Sequence, residues 1–167
     1  DHGLILSSPP GKLDKSYETL AEQLEVRGYK TAAFGGGSFI RGKYRLQQGF
    51  DTAESKSRNI KGNLTAAKDW LLDNGHERFF LFVHGFNLQR PYKGAKPEEF
   101  HQPVEEYDLR KFCRDENEKL TEDQLKQVIA AYDASILYVD QKLEDFFAFM
   151  RKNKLFGATI DQGEVGG

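Results

Sequence analysis

The sequence predicts an α/β domain in which helices cover both faces of a mostly parallel sheet. The run FFLFV at residues 79–83 is short, apolar and uninterrupted, which is typical of a strand buried on both faces. Helix-like and strand-like patterns alternate on its N-terminal side, as in parallel α/β folds. Polar side chains begin only where the run ends, at His84. Because ligands bind at the carboxyl ends of strands in open α/β sheets, this end is the first candidate for a site.

The first helix is expected to begin at Ser16 as N-cap and to continue through Arg27. Gly28 is expected to end it in a left-handed conformation, which glycine adopts readily. A strand over residues 30–34 then leads into the glycine run 35–37. Without Cβ atoms, this run allows close approach of another group. It lacks the lysine and hydroxyl residue of a P-loop, so it is weak evidence for phosphate binding.

The segment 41–59 is polar and is expected to be irregular, with a turn at residues 48–51. Asn63 is a candidate N-cap for a second helix that reaches Leu72. Three residues at helical spacing are expected to face inward: Leu64, Ala67 and Leu71.

The C-terminal part of the chain contains the longest predicted helix. Residues 92–119 are expected to be a long surface excursion, and Thr121 with Gln124 forms a capping box for the helix that follows. The helix is expected to reach residue 154, and residues 158–160 resemble the start of another strand. An apolar stripe with aromatic members keeps helical spacing along this helix and is interpreted as core packing. It consists of Leu125, Val128, Ile129, Tyr132, Ile136, Val139, Leu143, Phe146, Phe147 and Met150.

Composition narrows the classes of partner. The 167 residues suit one domain, and 24 Lys+Arg against 26 Asp+Glu give a net charge of −2. Nucleic acid and an anionic membrane surface are therefore not expected as main partners. No apolar run is long enough to span a bilayer, and residues 1–3 do not resemble a signal peptide. The single cysteine, Cys113, excludes an internal disulfide and a cysteine-based zinc site.

The residues alone give two candidate sites and leave both open. His84 follows the apolar strand and is either a structural histidine or a site residue. Asp161 and Gln162 offer oxygen atoms suited to Ca²⁺ or Mg²⁺, although a plain turn is the simpler interpretation. None of the four histidines has a metal-ligand spacing, and no nucleophile motif is present, so no catalytic residue is predicted.

Several stretches, taken together and in order, resemble the sulfatase family of the alkaline phosphatase superfamily. They are TLAEQL (19–24), GYKTAAF (28–34), QGFD (48–51), FFLFVH (79–84) with RPY (90–92), YDASI (132–136) with VD (139–140), LFGATI (155–160) and DQGE (161–164). The resemblance covers nearly the whole chain. It implies an alkaline phosphatase-like fold, present in part.

The resemblance also implies metal-dependent hydrolysis of sulfuric esters, in which a cation and positioned donors stabilise charge on the sulfate oxygens. It places Asp161 and Gln162 at a Ca²⁺ ion and His84 and Gln89 in the substrate pocket. The substrate would be a sulfated small molecule or glycan, and the protein would be extracytoplasmic.

Departures from the family pattern keep other functions open. The motif C/S-x-P/A-S-R, whose first residue becomes formylglycine, does not occur in the chain. We therefore expect residues 1–167 to be one sulfatase-like domain that is part of a larger catalytic domain. The nucleophile is expected upstream, and the 167 residues alone are expected to be inactive. Gln89 stands where the family usually has histidine. Gln162 stands where the family usually has histidine or asparagine. The alternatives are a phosphotransferase or phosphodiesterase of the same superfamily, and a non-catalytic sulfatase-like binding module.

Overall fold

The computed structural model describes residues 12–37, 44–89 and 120–156. In chain order the elements are α1 (Leu20–Val26), β1 (Lys30–Gly35), β2 (Thr52–Ser55), α2 (Ile60–Asn74), β3 (Phe79–Val83) and α3 (Glu122–Lys152). The chain divides into two compact units, residues 1–85 with 145–167 and residues 86–144. The predicted excursion at 92–119, the predicted strand at 158–160, and Cys113 lie outside the described residues.

The three described strands form one parallel sheet in the order β2-β1-β3. Ala32 in the central strand is paired with Thr52 on one side and Leu81 on the other. The predicted parallel α/β class is confirmed. The expectation of irregular structure over 41–59 is wrong at residues 52–55, because this short polar strand is set by pairing with β1 rather than by its own pattern.

The two helices α1 and α2 lie on opposite faces of this sheet. Phe79 of β3 packs edge-on against Trp70 of α2, with ring centroids 6.2 Å apart. Side chains alternate along a strand, so Phe80 and Phe82 point to the other face, where they line a cavity together with Ala21 of α1. The centre of the sheet is the core: Thr31, Ala32, Ala33 and Phe34 are each at most 2% exposed.

The strand β3 exists as predicted, but it is not buried on both faces. Four of its residues are half-buried, and Phe82 is 44% exposed. Among the described residues, β3 lies at the edge of the sheet, and the short helix α1 covers only part of the face that Phe82 occupies. The apolar run therefore predicted a strand correctly and its burial incorrectly.

The helix α1 begins three residues later than expected. Thr19 is its N-cap: the Thr19 hydroxyl accepts a hydrogen bond from the Glu22 N–H, and the Glu22 carboxylate accepts one from the Thr19 N–H. The hydroxyl of Ser16 instead donates to the Asp14 carboxylate. Ser16 lacks an acceptor three residues on, whereas Thr19 has one in Glu22, so the capping box decides the start. Gly28 ends the helix at φ +78°, as predicted.

The helix α2 is capped by Asn59 rather than Asn63. The Asn59 side chain accepts a hydrogen bond from the Lys61 N–H, which satisfies one of the free donors of the first turn. Asn63 lies one turn further in and is fully buried. The inward face was predicted correctly, since Leu64, Ala67 and Leu71 are all buried.

The helix α3 has the predicted capping box, in which the Thr121 N–H donates to Gln124 and the Gln124 N–H to the Thr121 hydroxyl. The apolar stripe is core only near the C-terminal end, where Phe146 and Met150 are buried. Nearer the N-terminus its members are largely exposed: Leu125, Ile129, Tyr132 and Ile136. The interpretation as core packing is therefore wrong for the N-terminal half, because helical spacing identifies an apolar face without identifying what covers it.

Candidate functional site

The carboxyl edge of the sheet brings two predicted features together. Phe34 and Val83 are paired at the ends of β1 and β3, and the His84 N–H donates to the Phe34 carbonyl at 2.9 Å. The glycine run 35–37 and His84 therefore leave the sheet side by side. This is the edge at which parallel sheets hold ligands.

The segment that leads into α2 closes against the same edge. A Cβ on Gly36 would overlap the Ser57 carbonyl oxygen, and a Cβ on Gly85 would lie 2.9 Å from the Cβ of Ile60. Both strand ends therefore need glycine where the chain before α2 crosses them. The close approach predicted for the glycine run is confirmed, and the group that approaches Gly36 is the chain's own backbone.

Asn63 joins this segment to the end of β3. Its amide nitrogen donates to the His84 carbonyl at 2.7 Å and to the Ser57 carbonyl at 2.9 Å. Its amide oxygen accepts from the Ser57 N–H at 3.1 Å. Sequence reasoning considered only an N-cap role for Asn63. The available signal was an asparagine on the apolar face of α2, one residue before Leu64, where only a satisfied polar group is tolerated.

The imidazole of His84 lies on the same face of the sheet as Phe80 and Phe82. It is half-buried and stacks nearly parallel to the ring of Phe82, at 6.3 Å and 6°. It forms part of the lining of a largely apolar cavity of about 430 Å³, which also includes Phe50 and Phe80, stacked at 5.6 Å. An imidazole at this position can donate a hydrogen bond to an anionic oxygen or transfer a proton.

The α1 side of the cavity carries a network around a carboxylate. The Gln48 amide donates to the Glu22 carboxylate at 3.0 Å, and the Thr19 N–H donates to it at 2.7 Å. These hydrogen bonds stabilise the charged form and lower the pKa of Glu22, with the Gln48 side chain the largest cause. Hydrogen bonds from Ser16 likewise lower the pKa of Asp14.

The other predicted site residues lie in the second compact unit or outside the described residues. Gln89 is exposed and belongs to the unit formed by residues 86–144, where its N–H donates to the Phe86 carbonyl. Asp161 and Gln162 lie outside the described residues. In the described ranges, no three His, Cys, Asp or Glu side chains are grouped as metal ligands. The helices of those ranges also include none long and apolar enough to cross a bilayer.

Comparison with solved structures supports the fold. The chain is similar to the C-terminal periplasmic domain of EcEptC from Escherichia coli, crystallised in complex with Zn, with a TM-score of 0.58 and 14% sequence identity. The match covers 84% of this chain and 41% of that one, so the chain spans less than half the length of this neighbour. At this identity the likeness shows the fold alone. No match is found among curated proteins.

Comparison with protein families identifies the chain. The Sulfatase family model matches residues 1–160, which is nearly the whole sequence. The match includes β3, which ends one residue before His84, and the glycine run beside it. The chain therefore belongs to the sulfatase family.

Proposed function

We propose that this chain forms part of a sulfuric ester hydrolase and that His84 contacts the sulfate group of the substrate. The observation that carries the proposal is the position of His84 at the carboxyl end of a parallel strand in a chain of the sulfatase family. A hydrogen bond from the imidazole would stabilise charge that grows on the sulfate oxygens in the transition state.

Gln89 is proposed as a second substrate contact, through its amide group. The substrate would be a sulfated small molecule or glycan. The neighbour is a periplasmic domain, and we propose an extracytoplasmic location for this protein too.

A Ca²⁺ ion is proposed at Asp161 and Gln162. A carboxylate and an amide oxygen fit the oxygen preference of Ca²⁺, but two side chains do not complete its coordination. Other residues of the protein would therefore have to supply further ligands. Zn²⁺ is the alternative, since the structural neighbour was crystallised with Zn. When bound, the metal would polarise the sulfate oxygens.

Metal binding is tested by calorimetric titration, with Ca²⁺ and with Zn²⁺, of the longest protein that contains this sequence. We expect Ca²⁺ binding that is lost in Asp161→Asn, with Asp145→Asn as the matched control on the exposed surface of α3. Tight Zn²⁺ binding with none of Ca²⁺ would overturn the calcium assignment. No binding of either ion would overturn the proposal that Asp161 and Gln162 are ligands.

Catalysis is tested on the longest protein that contains this sequence, with 4-methylumbelliferyl sulfate and the corresponding phosphate as substrates. We expect sulfate release that stops on chelation and falls about tenfold or more in His84→Gln, which removes a transition-state donor. Residues 1–167 alone should release none, because they carry no activated nucleophile. Turnover of the phosphate instead would indicate the phosphotransferase or phosphodiesterase alternative, and binding without turnover would indicate a non-catalytic module.

A further inference from the structure

We propose that Asn63 is a positioning residue for His84, fixing the backbone from which the imidazole projects. The part of the inference that concerns substrate binding rests on the proposed function of His84. The geometry itself is independent of that role: a carboxamide in the interior of α2 holds the carbonyl group of His84 at 2.7 Å.

Both donors and the oxygen of the Asn63 carboxamide make hydrogen bonds. The carboxamide can donate two hydrogen bonds, and both go to carbonyl groups, those of Ser57 and His84. Its oxygen accepts from the Ser57 N–H. The side chain has no solvent exposure, so water cannot replace these bonds in the folded chain. A buried amide with all three bonds made is costly to disturb and holds its partners in one arrangement.

The backbone of His84 is consequently held from two elements. Its N–H is bound to the Phe34 carbonyl of β1, and its carbonyl is bound by Asn63 of α2. Together these bonds extend the strand geometry one residue beyond Val83, the last residue of β3. Because side chains alternate along an extended backbone, the imidazole is kept on the same face as Phe82, and the two rings lie parallel.

A purely structural role for Asn63 predicts a different outcome. In that case, losing the amide would weaken folding in the same way as any defect in α2, and the ring of His84 would keep its place. If Asn63 positions His84, the ring should move even in molecules that remain folded. A comparison of variants matched in stability therefore separates the two roles.

The test uses nuclear magnetic resonance on the longest protein that contains this sequence. Asn63→Asp keeps the size and the acceptor but loses both N–H donors, and Asn63→Ser is a second variant in case the first fails to fold. Ala67→Gly is the control: it lies one turn further along the buried face of α2 and lowers helix stability without removing a bond to His84. The measurements are the ring-to-ring NOE between Phe82 and His84 and the response of the His84 ring signals to inorganic sulfate.

We expect the NOE to disappear in the Asn63 variants and the half-saturating sulfate concentration to rise about tenfold, as for loss of one oriented contact. Ala67→Gly should change neither. An Asn63 variant that is less stable but keeps both the NOE and the sulfate midpoint would overturn the inference. If the His84 signals of that wild-type protein do not respond to sulfate while the NOE still depends on Asn63, the proposed role of His84 is overturned and the positioning role stands.

Discussion

Thr31 and Asp51 hold each other through a reciprocal pair of hydrogen bonds. The Thr31 N–H donates to the Asp51 carboxylate at 3.0 Å, and the Asp51 N–H donates to the Thr31 hydroxyl at 2.9 Å. The same hydroxyl donates to the Gly49 carbonyl at 2.8 Å. The turn at residues 48–51 is thereby fastened to the start of β1, one residue before the position where β2 pairs with it. This explains in physical terms why a GFD sequence accompanies this strand.

Replacing Thr31 with valine tests this arrangement. The variant keeps the β-branched shape but leaves the Gly49 carbonyl and the Asp51 N–H without their partner, in a place where Thr31 is fully buried. Each unsatisfied group costs about 1–3 kcal/mol, so we expect a loss of about 2 kcal/mol or more in the free energy of unfolding, measured by urea denaturation.

The matched control is Thr52→Val, in the neighbouring strand, where the side chain is half-buried and valine suits a strand. It should change stability by less than about 0.5 kcal/mol. Equal effects of the two variants would mean that the Thr31 hydroxyl does not fasten the turn.

The Glu22 carboxylate makes the α1 region sensitive to acid. Its pKa is lowered in the folded chain by hydrogen bonds from Gln48 and Thr19. A carboxylate whose folded pKa lies below its unfolded value adds stability that is complete above the unfolded value and lost as pH falls through the folded one. We therefore expect this contribution to be complete at neutral pH and to be lost progressively as the pH falls below the ordinary pKa of a glutamate carboxyl.

The measurement is the midpoint of thermal unfolding across this pH range for the wild type and for Glu22→Gln. The wild type should be more stable at neutral pH, and the difference should shrink as the pH falls. Glu25→Gln, on the same helix and exposed, removes an equal charge without touching Gln48 or Thr19. A difference between wild type and Glu22→Gln that is constant with pH would contradict this assignment.

Gly36 is the point at which the glycine run cannot accept a side chain. In Gly36→Ala the new methyl group would overlap the Ser57 carbonyl oxygen and crowd Arg58. We expect a loss of about 1–3 kcal/mol in chemical denaturation, because backbone must shift to make room. Gly28→Ala is the comparison: its methyl group would lie 3.6 Å from the end of the Arg78 side chain, so only the φ of +78° opposes it. The Gly28 variant should therefore lose less, about 1 kcal/mol.

The sequence predicted the elements whose local signals agree with their tertiary partners. Examples are the end of α1 at Gly28, the buried position of Leu71 and the position of His84 at the end of a strand. Each follows from a local feature of the sequence: a glycine after a helix, helical spacing of apolar residues, and a short apolar run. Prediction from the sequence failed where contacts with residues distant in the sequence determine the local structure. The strand β2 forms because it pairs with β1. Asn63 does not cap α2, because its buried amide forms hydrogen bonds with the backbone of Ser57 and His84.

The candidate site could likewise be predicted from the sequence only in part. The position of His84 follows from the strand, whereas its orientation depends on Asn63, for which the sequence offered no more than a polar residue on an apolar face. The proposed contact at Gln89 came from family resemblance, and the proposed metal site at Asp161 and Gln162 came from their oxygen atoms together with that resemblance; both remain predictions. No local pattern can fix the distance of Asp161 and Gln162 from His84, since that distance depends on how a long segment of chain returns to the sheet.

The exposed ring of Phe82 gives the last prediction. It lies 44% exposed on the cavity face, while Phe34 on the central strand is 2% exposed. Phe82→Thr should therefore cost about 1–2 kcal/mol, because only a little over half of the residue is buried and threonine suits a strand, whereas Phe34→Ala should cost about 3–5 kcal/mol. Phe82→Thr should also lower the fluorescence of bound anilinonaphthalene sulfonate, a dye that binds exposed apolar surface, because it removes one aromatic wall of the cavity. A large loss of stability in Phe82→Thr, equal to that in Phe34→Ala, would mean that another part of the protein covers this face in solution.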